Sequence, residues 1–141
     1  MYFDTSVVLS LYVNDAFTRQ AEDFYRHHAH AATVSAWVDL EVKSALAFLV
    51  RTKRLPHAKA QVALQTYETD RALGVYRQAE LASGHFAAGC HVLSLRGALR
   101  AGDALHLGAA WCERLPLVTS DKTLHRAGTG LGVDSTYLPD F

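Results

Sequence analysis

The chain has only two cysteines, three prolines and no long apolar run among its 141 residues. Cys90 and Cys112 have no second pair with which to complete a zinc site or a disulfide framework. No basic leader followed by an apolar stretch opens the sequence, and runs such as 45–50 are far shorter than the roughly 20 residues that cross a bilayer. We therefore expect a cytoplasmic protein with free, buried thiols and no membrane contact.

The sequence also lacks net charge, because 14 basic residues balance 14 acidic ones. A neutral chain has no global positive field of the kind that many nucleic-acid-binding proteins use for capture. The cations are nevertheless unevenly placed, since no acid lies between Glu41 and Glu68. A phosphate-attracting surface is expected in this stretch, although a solvated helix face explains the pattern equally well. Its cations are Lys43, Arg51, Lys53, Arg54 and Lys59.

Half of the residues are hydrophobic and a fifth are charged, which is the composition of an ordinary globular protein. A chain of this length can bury its own core without disulfides or structural metal. The sequence therefore predicts one domain over residues 1–141.

Short apolar segments alternate with helical stretches along the whole chain. Strands are predicted at 1–3, 31–35, 115–118 and, as a last edge strand, 135–138. Helices are predicted at about 7–11, 15–28, 36–54, 57–73, 83–95, 103–113 and 124–127. Residues 75–82 match neither pattern, and the glycine-rich stretch 128–132 is predicted to be a loop. The alternation predicts an α/β domain with a mostly parallel sheet buried on both faces.

Four acidic residues are placed where such a sheet would bring them together. Asp4 and Asp121 directly follow predicted strands, and ligands of open parallel sheets bind beyond the carboxyl ends of the strands. Glu41 lies in the helix after the second strand, and Asp103 begins the helix that leads into the strand at 115–118. These acids can therefore share one pocket, although Asp103 and Asp121, taken singly, are better explained as helix caps.

A pocket of four carboxylates is costly unless a cation neutralises it, because like charges at short range repel. Oxygen ligands without an accompanying cysteine or histidine group favour Mg²⁺ or Mn²⁺ over zinc. Such a site can activate water and stabilise charge on a phosphodiester. The rival interpretation is that Asp4 is a phosphoryl-accepting nucleophile of a small hydrolase. It is disfavoured because haloacid-dehalogenase-type sites have a second aspartate two residues after the nucleophile, and this chain has Ser6 at that position.

Four segments together resemble one known family: YFDTS at 2–6, VDLEV at 38–42, LRAGDALHL at 99–107 and LVTSDKTL at 117–124. They look like a PIN domain, and their order and spacing resemble the VapC-type toxins of bacterial toxin–antitoxin pairs. The third segment followed by the fourth is the strongest signal. The resemblance covers essentially the whole chain and implies a three-layer α/β/α fold with a central, mostly parallel sheet.

The resemblance also implies a metal centre and its chemistry. Ser6 and Thr119 would hydrogen-bond the ligands or a metal-bound water, and the cofactor would be Mg²⁺ or Mn²⁺. The implied reaction is hydrolysis of an RNA phosphodiester that leaves 5′-phosphate and 3′-hydroxyl ends. The implied ligands, the first two being the firmest, are Asp4, Asp103, Glu41 and Asp121.

The partners implied by the resemblance are RNA, a VapB-type antitoxin and a second copy of the chain in a homodimer. Apolar side chains of the 37–49 and 57–73 helices could serve such a partner, or could equally belong to the core. The alternative function is a non-toxin PIN-fold module that processes RNA, or that binds RNA or protein without cutting. All four acids are present, which favours activity. His106 lies on the same helical side as Asp103 and could touch the pocket, although a structural histidine is the favoured interpretation.

Overall fold

The computed structural model describes residues 1–140 as a parallel sheet surrounded by helices. The strands in this part of the chain are β1 (Tyr2–Phe3), β2 (Thr33–Ser35), β3 (Arg77–Ala79), β4 (Leu117–Thr119) and β5 (Ser135–Tyr137). The helices are α1 (Thr5–Ser10), α2 (Thr18–His28), α3 (Ala36–Arg51), α4 (His57–Ala72), α5 (Ser83–Leu95), α6 (Ala101–Cys112) and α7 (Lys122–Gly130), with a 3-10 turn at Ala29–Ala31. No helix within these residues is long and apolar enough to span a bilayer.

The strand order is β3-β2-β1-β4-β5, and every pairing is parallel. β1 is central, with Tyr2 beside both Thr33 and Leu117, and both of its residues are buried. The chain moves to one side of β1 through β2 and β3, then returns to the other side for β4 and β5. The order of the strands therefore reverses at β1, which is where ligands of such sheets bind.

Three layers follow from this path, because parallel crossovers are almost always right-handed. Crossovers that run in opposite directions from β1 place their helices on opposite faces of the sheet. The main helix contacts agree, since α1 to α4 contact one another and α5 to α7 contact one another. The predicted α/β/α architecture is confirmed, and the sheet is parallel throughout.

Helix α3 buries one face against the core, formed by Val38, Val42 and Leu46. Leu40 and Phe48, which belong to the same apolar stretch of sequence, are 57% and 45% exposed. A helix that is apolar on more than one face thus uses only one of them for the core. The exposed side chains are not core residues.

The stretch 75–82, which the sequence left unassigned, contains the edge strand β3, whose first two side chains are exposed. Two other local predictions were wrong. Helix α7 continues to Gly130 instead of ending at Gly128, and Gly128 is buried where a Cβ would lie 3.4 Å from Leu107 Cδ1. Cys90 and Cys112 are free but exposed, because they lie on the outer sides of α5 and α6 rather than in the core.

Helices α5 and α6 make the most extensive helix–helix contact, and two glycines let their backbones approach. A Cβ at Gly108 would lie 2.7 Å from the backbone nitrogen of Gly89, whereas a Cβ at Gly89 would meet nothing closer than 3.4 Å. Only the first of these positions is therefore closed to a side chain. Because α6 carries Asp103, this contact also fixes the position of one candidate site residue.

Gly108→Ala should destabilise the protein, since the methyl group must push apart two backbones, at a typical cost of about 1–3 kcal/mol. Gly89→Ala is the matched control, because the same change in the same contact should be neutral or stabilising through the lower chain entropy of alanine. Urea unfolding of both variants measures the difference. Equal free energies of unfolding would show that the backbones are not in close contact.

Candidate active site

A cleft of about 470 Å³ opens beyond the carboxyl end of the sheet, and all four predicted acids line it. Four separate parts of the chain supply them: the end of β1, the second turn of α3, the first turn of α6 and the turn after β4. The topology therefore brings together residues that are more than a hundred positions apart in sequence. The acids of the cleft are Asp4, Glu41, Asp103 and Asp121.

Asp4 is the most buried of the four, with 3% of its surface exposed. It caps α1, because its Oδ1 accepts hydrogen bonds from Val7 N at 3.2 Å and from Ser6 Oγ at 2.6 Å. Its Oδ2 accepts from Thr119 Oγ1 at 2.5 Å. Burial raises the pKa of Asp4 above its usual range, although His106 and these hydrogen bonds act in the opposite direction. The ionised form of this carboxylate is therefore held at a cost.

The two hydroxyl groups that hold Asp4 also reach the turn after β4. Ser6 Oγ accepts from Ser120 N at 3.0 Å, and Thr119 Oγ1 accepts from Asp121 N at 2.9 Å. Asp121 in turn caps α7, where its Oδ1 accepts from the backbone nitrogens of residues 123 and 124. Asp121 is thus a helix cap and a residue of the cleft at once.

Glu41 is held by side chains of α1 and α6. Its Oε2 accepts from Thr5 Oγ1 at 2.5 Å and pairs with His106 Nε2 at 2.6 Å. Burial alone would raise the pKa of Glu41, but the hydrogen bonds and charge of His106, together with the hydrogen bond from Thr5, bring it below the usual value. Glu41 therefore favours the ionised form in which it can hold a cation.

The ring of His106 continues this network into the core. His106 is 2% exposed, and its Nδ1 lies 3.1 Å from Tyr2 Oη, which lies 2.8 Å from Ser35 Oγ. Burial raises the pKa of Tyr2, so its hydroxyl keeps its proton and can hydrogen-bond with Nδ1. His106 donates from Nε2 to Glu41 Oε2. The chain from Ser35 through Tyr2 and His106 thus ends on the Glu41 carboxylate.

Asp103 lies in the first turn of α6, where a negative charge is stabilised by the helix dipole. Its Oδ2 accepts from Arg100 Nε at 3.1 Å, and the Arg100 side chain is 83% exposed. The guanidinium group lies at the rim of the cleft. One of the four acids is therefore paired with a surface cation.

Within residues 1–140 no three acidic, histidine or cysteine side chains are close enough together to hold a metal ion as they stand. The donor set nevertheless fits a hard cation, because all four acids of the cleft offer carboxylate oxygens. Two of those acids, Glu41 and Asp103, contact a histidine and an arginine instead. Binding of an ion would require these carboxylates to converge.

The PIN domain family model matches residues 1–129. The chain belongs to the PIN domain family. PIN domains are nucleases and generally use divalent metal ions. The matched range contains all four acids of the cleft together with Ser6 and Thr119. The family resemblance expected from the four sequence segments is therefore confirmed.

Solved structures with the same fold come from several bacteria. FitAcB from Neisseria gonorrhoeae matches with a TM-score of 0.71 and 18% identity, over 95% of this chain and 94% of that one. VapBC2 from Rickettsia felis, bound to a DNA fragment from their promoter, matches with a TM-score of 0.68 and 15% identity, over 96% of each chain. A toxin–antitoxin complex from Klebsiella pneumoniae matches with a TM-score of 0.61 and 18% identity, over 85% of each chain. No curated protein sequence matches this chain.

The PIN domain brings the four predicted acids and Ser6 to one cleft, while Thr119 is buried behind Asp4. Ser6 and Thr119 both hydrogen-bond the Asp4 carboxylate. Sequence reasoning missed the contacts of Thr5 and His106 with Glu41. His106 is a buried, hydrogen-bonded histidine as expected, but it also lines the cleft. Its position three residues after Asp103, on the same helical side, was the available signal.

Gly102 is a further missed residue, because its lack of a side chain leaves room for Glu41. A Cβ at Gly102 would lie 2.6 Å from Glu41 Oε1. The carboxylate is the flexible end of its side chain, so it would move rather than the helix. Gly84 offers a comparison, because it also lies in the first turn of a helix and a Cβ placed there would have no neighbouring atom within 4 Å.

Gly102→Ala should leave the fold intact and lower nuclease activity on the order of tenfold to a hundredfold, because a displacement of about 1 Å at a site residue has effects of this size. Gly84→Ala should retain full activity. Both are compared by kcat/KM, with thermal unfolding as the check on folding. Full activity in Gly102→Ala would mean that the observed position of Glu41 is not the active one.

The raised pKa of Asp4 predicts a pH dependence of stability in metal-free protein. Between the unfolded carboxyl pKa of about 4 and the higher folded value, the folded state holds more protons, so stability falls as pH rises. Asp4→Asn should remove this decline. Urea unfolding in EDTA from pH 4 to 7 measures it for both proteins. A difference in unfolding free energy that does not change with pH would contradict the prediction.

Proposed function

We propose that this PIN domain is a metal-dependent endoribonuclease and the toxin of a toxin–antitoxin pair. The observation that carries the proposal is that four carboxylates line one cleft at the point where the strand order reverses. Family membership supports nuclease chemistry, and the retention of all four acids supports an active enzyme. The acids proposed as ligands are Asp4, Asp103, Glu41 and Asp121.

The proposed cofactor is Mg²⁺ or Mn²⁺, which suits an all-oxygen donor set. When bound, the cation neutralises the clustered carboxylates and supplies an activated water for hydrolysis of the phosphodiester. The residues around the ligands have a separate task. Ser6 and Thr119 fix both oxygens of Asp4, while Thr5 and His106 fix one oxygen of Glu41. These contacts hold the ligands before substrate arrives, which reduces the reorganisation that the reaction requires.

The toxin role draws on two kinds of support. The four sequence segments resemble VapC-type toxins, and solved structures of similar fold include a toxin–antitoxin complex and VapBC2. We infer that an antitoxin of the VapB type binds this chain and that two copies pair as a homodimer. RNA is the substrate that the resemblance implies, cleaved to 5′-phosphate and 3′-hydroxyl ends.

Incubation of purified, antitoxin-free protein with total bacterial RNA tests the proposal. Discrete fragments are expected with Mg²⁺ or Mn²⁺ and none with EDTA. Asp103→Asn should abolish cleavage, because a ligand charge is lost, while Asp134→Asn should leave it unchanged. Asp134 is the matched control, since it is exposed and its backbone oxygen pairs with Leu117 N at the opposite end of β4.

Three results would contradict the proposal. Cleavage that persists in EDTA would exclude the metal, and cleavage that persists in Asp103→Asn would exclude this cleft as the active site. Intact RNA in every lane would favour the module that binds without cutting. Circular dichroism of Asp103→Asn shows whether a loss of activity reflects a loss of fold.

A further inference from the structure

Helix α3 extends the cleft outward from Glu41. Ser44, Ala45, Phe48 and Arg51 line the same cleft, at spacings of three or four residues from Glu41 onward, which places them on one side of the helix. We call these four residues the α3 strip. From Glu41 to Arg51 the helix rises about 15 Å. The strip therefore leads from the acids toward solvent.

Apart from the buried ring of His106, Phe48 is the one aromatic side chain that lines the cleft in the described part of the chain, and it is 45% exposed. The core face of α3 is formed by Val38, Val42 and Leu46, so Phe48 lies outside the buried face of the helix. A ligand that covered this exposed ring would remove its apolar surface from water, which favours binding at the rim of the cleft.

The Arg51 side chain lies over one face of this ring in a cation–π contact, with its guanidinium carbon 5.6 Å from the ring centroid. No carboxylate within residues 1–140 forms an ion pair with Arg51. Arg100 is the second arginine that lines the cleft, and it is already paired with Asp103. Arg51 is therefore the cleft cation whose charge is available to a ligand.

We propose that the α3 strip binds single-stranded RNA next to the cleaved phosphodiester, with a base stacked on Phe48 and a phosphate held by Arg51. Aromatic rings and arginines in one groove are the usual means of binding single strands, and stacking tolerates any base because each has a π face. Ser44 and Ala45 are small, so the floor between the acids and the ring stays open. The inference rests on the proposed ribonuclease function and specifies how that function holds its substrate.

The strip fits RNA better than a protein partner. Its exposed apolar surface is one ring flanked by a serine, an alanine and an arginine, which is smaller than the contiguous apolar patches that mark protein-docking sites. The strip is also continuous with the acids that are proposed to cut RNA. Because the chain has no net charge, local stacking must supply affinity that long-range attraction does not.

Binding of a fluorescein-labelled single-stranded RNA octamer to Asp103→Asn protein in Mg²⁺ tests the stacking contact, read by fluorescence anisotropy. Phe48→Ala should raise the Kd roughly 5- to 100-fold, and Phe48→Tyr should restore tight binding because it keeps a ring. Phe48→Leu should bind nearly as weakly as Phe48→Ala. Phe86→Ala is the matched control, since Phe86 is 53% exposed and lies at the other end of the α5–α6 pair from Asp103.

The phosphate contact is tested by the salt dependence of the same Kd. Arg51→Gln should weaken binding and reduce the slope of log Kd against log salt by about one, because one phosphate contact is lost. Arg26→Gln should leave the slope unchanged. Arg26 is exposed and lies near the end of α2, which leads into the amino end of β2. The cleft lies at the opposite, carboxyl end of the strands.

Two failures are distinguishable. If the parent protein binds no RNA and the wild type cuts none, the ribonuclease proposal fails and the strip proposal fails with it. If RNA is bound and cut but Phe48→Ala behaves like Phe86→Ala, the proposal for the α3 strip alone is refuted. Binding of a protein partner would then be the better explanation of the exposed strip. Tight binding by Phe48→Leu would also refute it, because apolar contact rather than stacking would then explain the affinity.

Discussion

The structure depends on a buried carboxylate at the end of its central strand. Asp4 follows a strand of two residues, both in the core, so its side chain begins where the apolar interior stops. Burial disfavours its charge, and the hydroxyls of Ser6 and Thr119 offset part of that cost. The same hydroxyls bind the backbone after β4. One acid therefore fixes the relation between two neighbouring strands and the residues that follow them.

Glu41 and Asp103 are positioned by helices, and each helix does so by a different means. Helix α3 packs one face on the core and turns the other toward the cleft, so Glu41 is carried by a rigid element. Helix α6 is fixed by its close contact with α5 at Gly89 and Gly108, which sets the depth of Asp103. The cleft is thus a product of packing well outside it. A site made from rigid elements holds its ligands more closely than one made from loops.

The sequence predicted the central features because their local signals agree. An apolar strand followed by an acid occurs at Asp4 and at Asp121, and both acids lie where the pattern placed them. β3 was not predicted because its first two residues, Arg77 and Gln78, are both exposed and give no alternating apolar pattern. The sequence did not show whether Phe48 is buried or exposed, because a helix with apolar residues on two sides can bury either side. Such choices are made by tertiary contacts, which no local spacing records.

The hydrogen-bonded chain from Ser35 through Tyr2 and His106 to Glu41 joins two strands and two helices that have separate places in the sequence. Tyr2 is entirely buried, so it serves the core and the cleft with the same side chain. A substitution at Tyr2 that kept only its volume would remove the hydroxyl that hydrogen-bonds His106. The packing of the central strand and the arrangement of the cleft above it therefore depend on the same side chain.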